Sequence, residues 1–395
     1  MRTGSMSRTA TTCLAAVGAA VVLTVAAAQL ASAAPGPVPV AHQQEDAGPG
    51  SAHRARSQPT PTSQPTPTSQ PTPTSQPTPT SQPTPTSQPT TRPAPDPEPE
   101  PEPAEPVPAG TELADLVDGT RTVEVTDAGE LESALEDAAP GDVIRLAAGS
   151  YEPIEISASG TPDAPITLTG PSEAVIDAGD DSGYAVHLQE ASHWQLVGFA
   201  VVGGGKGVVV DGGGSNVLDS LSVGETGDEA VHFRSSSSDN VIQRSRIHDT
   251  GLEQPQYGEG VYVGSAKSNW GRYGLDGGPD LSMDNRILEN TFERITAENI
   301  DIKEETGGTI VARNNFDGSA ISGENYADSV VDVKGFDAQV LDNITTGRSD
   351  QLGNIIETHV ITEPETSGCG NVIEGNRVEG FEPTGELVAV DKKCD

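Results

Sequence analysis

Residues 111–395 are predicted to fold as one all-β solenoid, and three features of the chain lead there. Short β-type segments recur: "YAVHLQ", "GVVVDG", "AVHFRS", "GVYVGS", "NIDIKE", "VVDVKG", "IIETHV" and "LVAVDK". Their apolar anchors Val186, Val208, Val231, Val261, Ile300, Val331, Ile356 and Val388 lie 22, 23, 30, 39, 31, 25 and 32 residues apart, so the shortest repeat is 22 residues and the rest carry loop insertions. A second set alternates with the first ("SNVLDSLSV", "DNVIQRSRI", "DNRILENTF", "GTIVARNNF", "AQVLDNI", "GNVIEGNRV"), with Gly, Asn and Asp at the breaks and almost no helical periodicity. Repeats this thin cannot each bury a face alone, whereas stacked turns share one core.

The segments ahead of the solenoid follow in chain order. Residues 1–33 read as an export signal: Arg2 and Arg8 precede the apolar run "LAAVGAAVVLTVAAA", and Ala31-Ser32-Ala33 forms an A-x-A cleavage site. A secreted, extracellular protein without a membrane span is expected. Cys13 lies before the apolar run, which argues against a lipid anchor, and it would leave with the signal. Residues 34–110 cannot form a core. The unit SQPTPT repeats from Ser57 to about Pro89, and "PDPEPEPEPAEPVP" follows. Such a disordered Pro/Thr/Ser/Glu-rich linker adopts an extended spacer of roughly 3 Å per residue. It reads either as a stalk at the cell surface or as a plain solubilising linker. A short helix is then expected, with Asp127 as N-cap, Glu130 three residues on, and Leu131 and Leu135 sharing one face.

Charge narrows the partners. The chain carries a net charge of −37, and residues 111–395 hold 52 acidic against 17 basic residues, a net of −35. Binding nucleic acid through a basic face is excluded on that count. An acidic polymer would also be repelled at long range unless divalent cations or a local basic patch offset the field. Calcium, which takes oxygen ligands, is the cation that fits. Cys369 and Cys394 form an even pair in an oxidising compartment, most simply one disulfide, with a metal site on two cysteines the poorer reading.

Two strands share the phrase apolar–Asp–apolar–Lys: Ile300-Asp301-Ile302-Lys303 and Val331-Asp332-Val333-Lys334. The chain has only six lysines. Alternate residues of a strand point to opposite faces, and equivalent residues of neighbouring turns stack about 4.8 Å apart. With the anchors inward, one outward column reads His187, Val209, His232, Tyr262, Asp301, Asp332, Glu357, Ala389. The next reads Gln189, Asp211, Arg234, Gly264, Lys303, Lys334, His359, Asp391. This strip is either a solvated face of ion pairs or a site in which stacked like charges perturb one another until a metal or substrate relieves them. Tyr262, Arg234, His232 and His359 add acid–base candidates. The insertion "GSAKSNWGRYGLDGGPDLSMD" carries Trp270, Arg272 and Tyr273, which suit the wall of a sugar-binding cleft.

Short parallel turns with stacked outward columns resemble the right-handed parallel β-helix of the pectate-lyase-like superfamily, over residues of about 120–395. Stacked asparagines are a habit of that fold, so Asn290, Asn314 and Asn376 are read as a structural ladder at the turns. The resemblance implies a polysaccharide lyase in which a Lys or Arg serves as base and calcium, held by acidic residues of adjacent turns, binds a uronate carboxylate. Carried over by position, Lys303 is the base, Lys334 or Arg234 stabilises charge, and Glu298, Asp301 and Asp332 hold calcium. His232, His359, Glu357, Trp270, Arg272 and Tyr273 are the substrate-binding candidates. The expected partner is an acidic polysaccharide, met by a monomer. Two other readings stay open. One is a glycoside hydrolase using the pairs Asp301/Asp332 or Asp332/Glu357, although the adjacent Asp-Asp, Gly-His-Gly and Arg-x-Lys of polygalacturonases are missing. The other is a non-catalytic stalked surface or carbohydrate-binding protein.

Overall fold

A computed structural model of the protein describes residues 121–180, 183–362 and 367–394. The export signal with Cys13, the linker 34–110 and residues 111–120 lie outside the described residues. No helix of the described residues is long and apolar enough to cross a membrane.

The chain winds through three sheets, and consecutive turns pair in parallel. One sheet has ten strands, from Thr122–Val125 to Val372–Glu374. Two have nine, from Gly149–Tyr151 to Arg377–Glu379 and from Ile154–Ile156 to Val388–Ala389. With the right-handed crossover that parallel connections take, this is a right-handed parallel β-helix. The eight anchors are register partners in sequence order, all in the third sheet. Val186 through Val331 are fully buried, while Val388, in the last turn, is only half-buried. Ile154, paired with Val186, adds an earlier turn that the repeat search does not reach.

The second set of segments lies in the other two sheets. Each is two strands meeting at a corner, such as Val217–Asp219 and Ser222–Gly224. The corner residue takes left-handed backbone in turn after turn: Ser220 (φ 55°), Arg244 (49°), Glu289 (57°), Arg313 (55°) and Asp342 (54°). One such residue bends the chain sharply enough to pass from one sheet to the next. After Glu289, Arg313 and Asp342 the next residue is an asparagine, and these asparagines form the ladder. Asn314 Oδ1 accepts from Asn290 N (2.9 Å) and Nδ2 (3.1 Å), while Asn314 Nδ2 donates to Ile287 O (2.8 Å) and Asn343 Oδ1 (3.0 Å). Asn343 in turn donates to Asn376 Oδ1 (2.9 Å). A second ladder, Asn216–Asn240–Asn285, lines the other corner beside the third sheet. These amides supply the backbone partners that a corner inside the wall would otherwise lack.

The helix Ala128–Glu136 covers the first turn. Asp127 caps it by accepting from Glu130 N (3.0 Å), Glu130 reaches back to Thr126 N (2.8 Å), and Leu131 and Leu135 are buried. At the other end Cys369 and Cys394 are joined, with Cα atoms 5.5 Å apart, and the last strand Val388–Ala389 lies between them in sequence.

Two outcomes follow. Asn314→Ala removes four hydrogen bonds inside the wall and should cost about 3 kcal/mol in denaturant unfolding, against a smaller loss for the less buried Asn376→Ala. Reducing the disulfide opens a loop spanning 25 residues and should cost roughly 3 kcal/mol, seen as a lower melting temperature. Two free thiols in the unreduced protein would contradict the bond.

Candidate active site

The third sheet carries the outward columns in the register expected of them: His187, Val209, His232, Tyr262, Asp301, Asp332, Glu357 and Ala389 pair in that order. Insertions enter this sheet from both sides, so its outward face is roofed rather than solvated. A cleft of about 640 Å³ lies over its last strands. Glu259, Glu298, Asp301, Lys303, Asp332, Lys334, Glu357 and His359 form the floor. Gln256, Asn325, Tyr326 and Asp328 line it from one group of insertions, and Ala266, Lys267, Glu304, Val360 and Ile361 from the other.

The floor is a chain of alternating charges. Lys303 Nζ lies 2.5 Å from Asp301 Oδ2, and Lys334 bridges Asp301 (3.2 Å) and Asp332. His359 Nε2 lies 2.9 Å from Glu357 and 3.5 Å from Asp332. Asp301 is buried, and the Lys303 side chain is 14% exposed. Of the two readings of this strip, the solvated face of weak pairs gives way to a largely desolvated cluster in which each charge needs its partner. Burial would raise the Asp301 carboxyl, but Lys303 and Lys334 outweigh it and hold it below the usual range. Burial would lower Lys303, yet Asp301 and Glu259 outweigh that too and push it well up. The lowered lysine pKa that a resting general base needs is thus not what this charge set gives. His359's hydrogen bond to the Glu357 carboxylate raises the imidazole above its ordinary value.

Beside this chain lie three buried carboxylates, Glu259, Glu298 and Asp301, each with an oxygen within 4.8 Å of the others'. Burial, then Asp301 and Asp332, pushes Glu298 up to about 8. Burial, then Glu229 and Glu298, raises Glu259 well above the carboxylate range. Among the described residues neither glutamate side chain has a hydrogen-bond partner. Three oxygen donors converging on one point, two of them unpartnered, fit a hard divalent cation. This trio holds two of the expected ligands, Glu298 and Asp301, and adds Glu259; Asp332 lies outside it, with Oδ2 on Lys334 and Oδ1 buried without a hydrogen-bond partner among the described residues. The signal for Glu259 was in the sequence, because Glu229, Glu259 and Glu298 each precede an anchor by two residues.

Other expected site residues lie elsewhere. Arg234 is buried and pinned by Asp211 through Nε (2.7 Å) and Nη2 (2.9 Å), with Tyr184 Oη at 2.9 Å and the Tyr273 ring centroid at 4.0 Å. It does not line the cleft, so it is no charge-stabilising partner of Lys303 there. His232 is buried between Glu229 (2.7 Å) and Gly264 O (2.8 Å), and packs edge-on against Tyr262. Tyr262 is buried too, with its ring centroid 4.8 Å from Lys303 Nζ. Trp270 is buried and donates to Ser265 O (2.9 Å), while Arg272 packs on Tyr273. The insertion's aromatics thus fasten it down, and only its Ala266 and Lys267 reach the cleft. Sequence alone could not tell an aromatic that faces a ligand from one that seals a loop.

A parallel β-helix with a charged cleft on one sheet defines a member of the pectate-lyase-like superfamily. No protein-family model and no curated protein matches the chain. Among solved structures, an alginate lyase from Paenibacillus sp. str. FPU-7 is 36% identical, over 69% of this chain and 92% of that one, with a TM-score of 0.64. The chain belongs to the family of that Paenibacillus protein. Two further structures resemble it at 13% identity: the pectate lyase Pel9A (69% of this chain, 79% of that one, TM-score 0.49) and a mannuronic acid specific polysaccharide family 6 lyase from human gut microbiota (68% and 66%, TM-score 0.47).

The raised carboxyl of Glu298 makes stability depend on pH. A carboxyl whose folded-state pKa exceeds its unfolded value favours the fold while it holds its proton in both states, and that advantage is lost as pH rises from about 4.5 through about 8. Without divalent cations, the melting temperature should fall between pH 5 and pH 8. Glu298→Gln, which has no proton to lose, should flatten that fall. An equal fall in the variant would show that this carboxyl is not the source.

Proposed function

We propose that the protein is a secreted polysaccharide lyase that cleaves uronate-containing polysaccharide by β-elimination, with alginate the first polymer to test. The observation that carries this reading is the 36% identity to an alginate lyase across 92% of that chain. The cleft has the matching chemistry: paired lysines beside stacked carboxylates at the centre of its floor. The disulfide Cys369–Cys394 agrees with an oxidising compartment.

β-Elimination takes the proton from the ring carbon α to the uronate carboxylate, then expels the glycosidic oxygen from the adjacent ring carbon, leaving a double bond between those two carbons at the new non-reducing end. The chain must supply a base, a positive field for the carboxylate and a proton for the leaving oxygen. Lys334, bound to both Asp301 and Asp332, is placed as fixed positive charge. Lys303 is the base candidate, since it reaches the cleft from the strand between Tyr262 and Lys334. It can act so only where the pull of Asp301 and Glu259 is offset, and burial with the neighbouring Lys334 ammonium then works to release its proton. His359, the most exposed cation of the floor, is placed to donate to the leaving oxygen.

The cleft also needs more positive charge than it owns. Eight carboxylates line it against four lysines and His359, a poor match to a polyanion. Glu259, Glu298 and Asp301 would hold calcium there, which would supply charge against the substrate carboxylate. The hydrolase reading is less favoured, because Asp301 and Asp332 share Lys334 and Glu357 is engaged by His359, leaving neither pair a ready proton donor.

Cleavage of alginate, pectate and glycosaminoglycans, followed by the ultraviolet absorbance of unsaturated ends, tests the reading. Reducing ends without that absorbance would indicate a hydrolase, and silence on all polymers a binding protein. Lys303→Arg keeps the charge beside Asp301 but cannot be deprotonated, so turnover should fall at least about 100-fold with the melting temperature preserved. Full activity in that variant would remove the base assignment. EDTA should lower activity and calcium restore it, more weakly in Glu259→Gln; indifference to EDTA would remove the cation.

A further inference from the structure

The insertion at 318–329 holds a feature that neither the charged floor nor the elimination chemistry uses. Tyr326 is 72% exposed, the most exposed of the large apolar side chains among the described residues. It is also the one Phe, Tyr or Trp among them with left-handed backbone (φ 67°), directly after Asn325 (φ 51°). A bulky side chain adopts that region only at a cost in conformational energy, which the surrounding structure must hold in place.

The rest of the loop does hold it. Ile321 and Ala327 are buried on either side. Gly323 N donates to Ala327 O (2.9 Å), Ala327 N to Glu324 O (3.0 Å), Asp328 N to Tyr326 O (2.9 Å), and Ser322 N to Thr296 O (2.8 Å). The turn Pro255–Tyr257 of a second insertion packs against the turn Glu324–Tyr326. In a loop clamped this closely, Ile321 is buried while the single aromatic side chain is thrown outward. Tyr326 lines the cleft, and it is the one Phe, Tyr or Trp to do so.

We propose that Tyr326 is a sugar-stacking subsite at the rim, which receives the apolar C–H face of a pyranose ring while the floor receives carboxylates. The inference rests on the lyase reading and deepens it. Division of labour is the physical reason: a charged floor discriminates acid groups but offers no apolar surface, and the flat ring of Tyr326 matches the apolar face of a sugar ring in a way that the aliphatic Val360 and Ile361 of the wall do not. Tyr326 is a positioning and specificity residue in this role and transfers no proton.

Steady-state cleavage of alginate by Tyr326→Ala, Tyr326→Phe and Tyr326→Trp tests it, alongside calorimetric binding of alginate oligosaccharide. Tyr326→Ala should raise KM about tenfold and weaken binding to match, with kcat within about twofold and an unchanged melting temperature. The Phe and Trp variants should behave as wild type. An unchanged KM in Tyr326→Ala, with wild type cleaving normally, overturns the stacking role and leaves the lyase reading intact. A Phe variant as impaired as Ala shows the hydroxyl to be the active group and overturns it as well. If wild type neither cleaves nor binds any uronate polymer, the lyase reading fails and the subsite with it.

Discussion

Parallel, in-register stacking of the turns places every residue of the third sheet directly over its equivalent one turn away. That spacing, about 4.8 Å, is short enough for side chains of successive turns to touch and too short for like charges to ignore one another. Everything at the cleft follows from it. Asp301 and Asp332 are register partners, so their carboxylates could not both lie buried without Lys334 between them. The same rule explains why Lys303 and Lys334 stand in consecutive turns of one column, each tied to the aspartate column beside it.

Stacking also decides where the charge cannot be balanced. Glu229, Glu259 and Glu298 form a column of their own two residues ahead of the anchors. Its first member is held by Lys206 and His232. Among the described residues the next two have no basic residue bonded to them, and they sit beside an aspartate already shared by two lysines. Protonation or a bound cation is the remaining way to lower the energy of that corner. The direction of each shift agrees: the paired Glu229 and Asp301 are held low, the unpaired Glu259 and Glu298 high.

Much of the fold was legible because a solenoid is written locally. Eight valines and isoleucines at repeat spacing located one sheet and its register, and an N-cap at Asp127 located the helix. The corners were harder: a left-handed Ser220 or Arg244 leaves no strong mark when the residue is not glycine, so the bend inside each segment of the second set carries no signal. Of the site, the lysine–aspartate floor was visible as a repeated phrase, and Glu259 was recoverable by the same alignment of turns. What alternation could not supply was the roof. An outward residue in a strand is exposed only if nothing folds over it, and the insertions that bury His232, Arg234 and Trp270 have no periodicity from which their path could be read.

The insertions therefore do two opposed things with one composition. On the 264–284 side, aromatic rings turn inward: Trp270 closes on Ser265, and Tyr273 covers Arg234. On the 318–329 side the apolar contacts are made by Ile321 and Ala327, and the ring of Tyr326 is left outside. An aromatic residue buried by its own loop has already used its apolar surface, so it adds rigidity to a wall and nothing to recognition. One held outward against backbone preference keeps that surface for another molecule. For a cleft whose floor is almost wholly ionic, this difference separates a wall that merely shields the charges from one that can also read the shape of what enters.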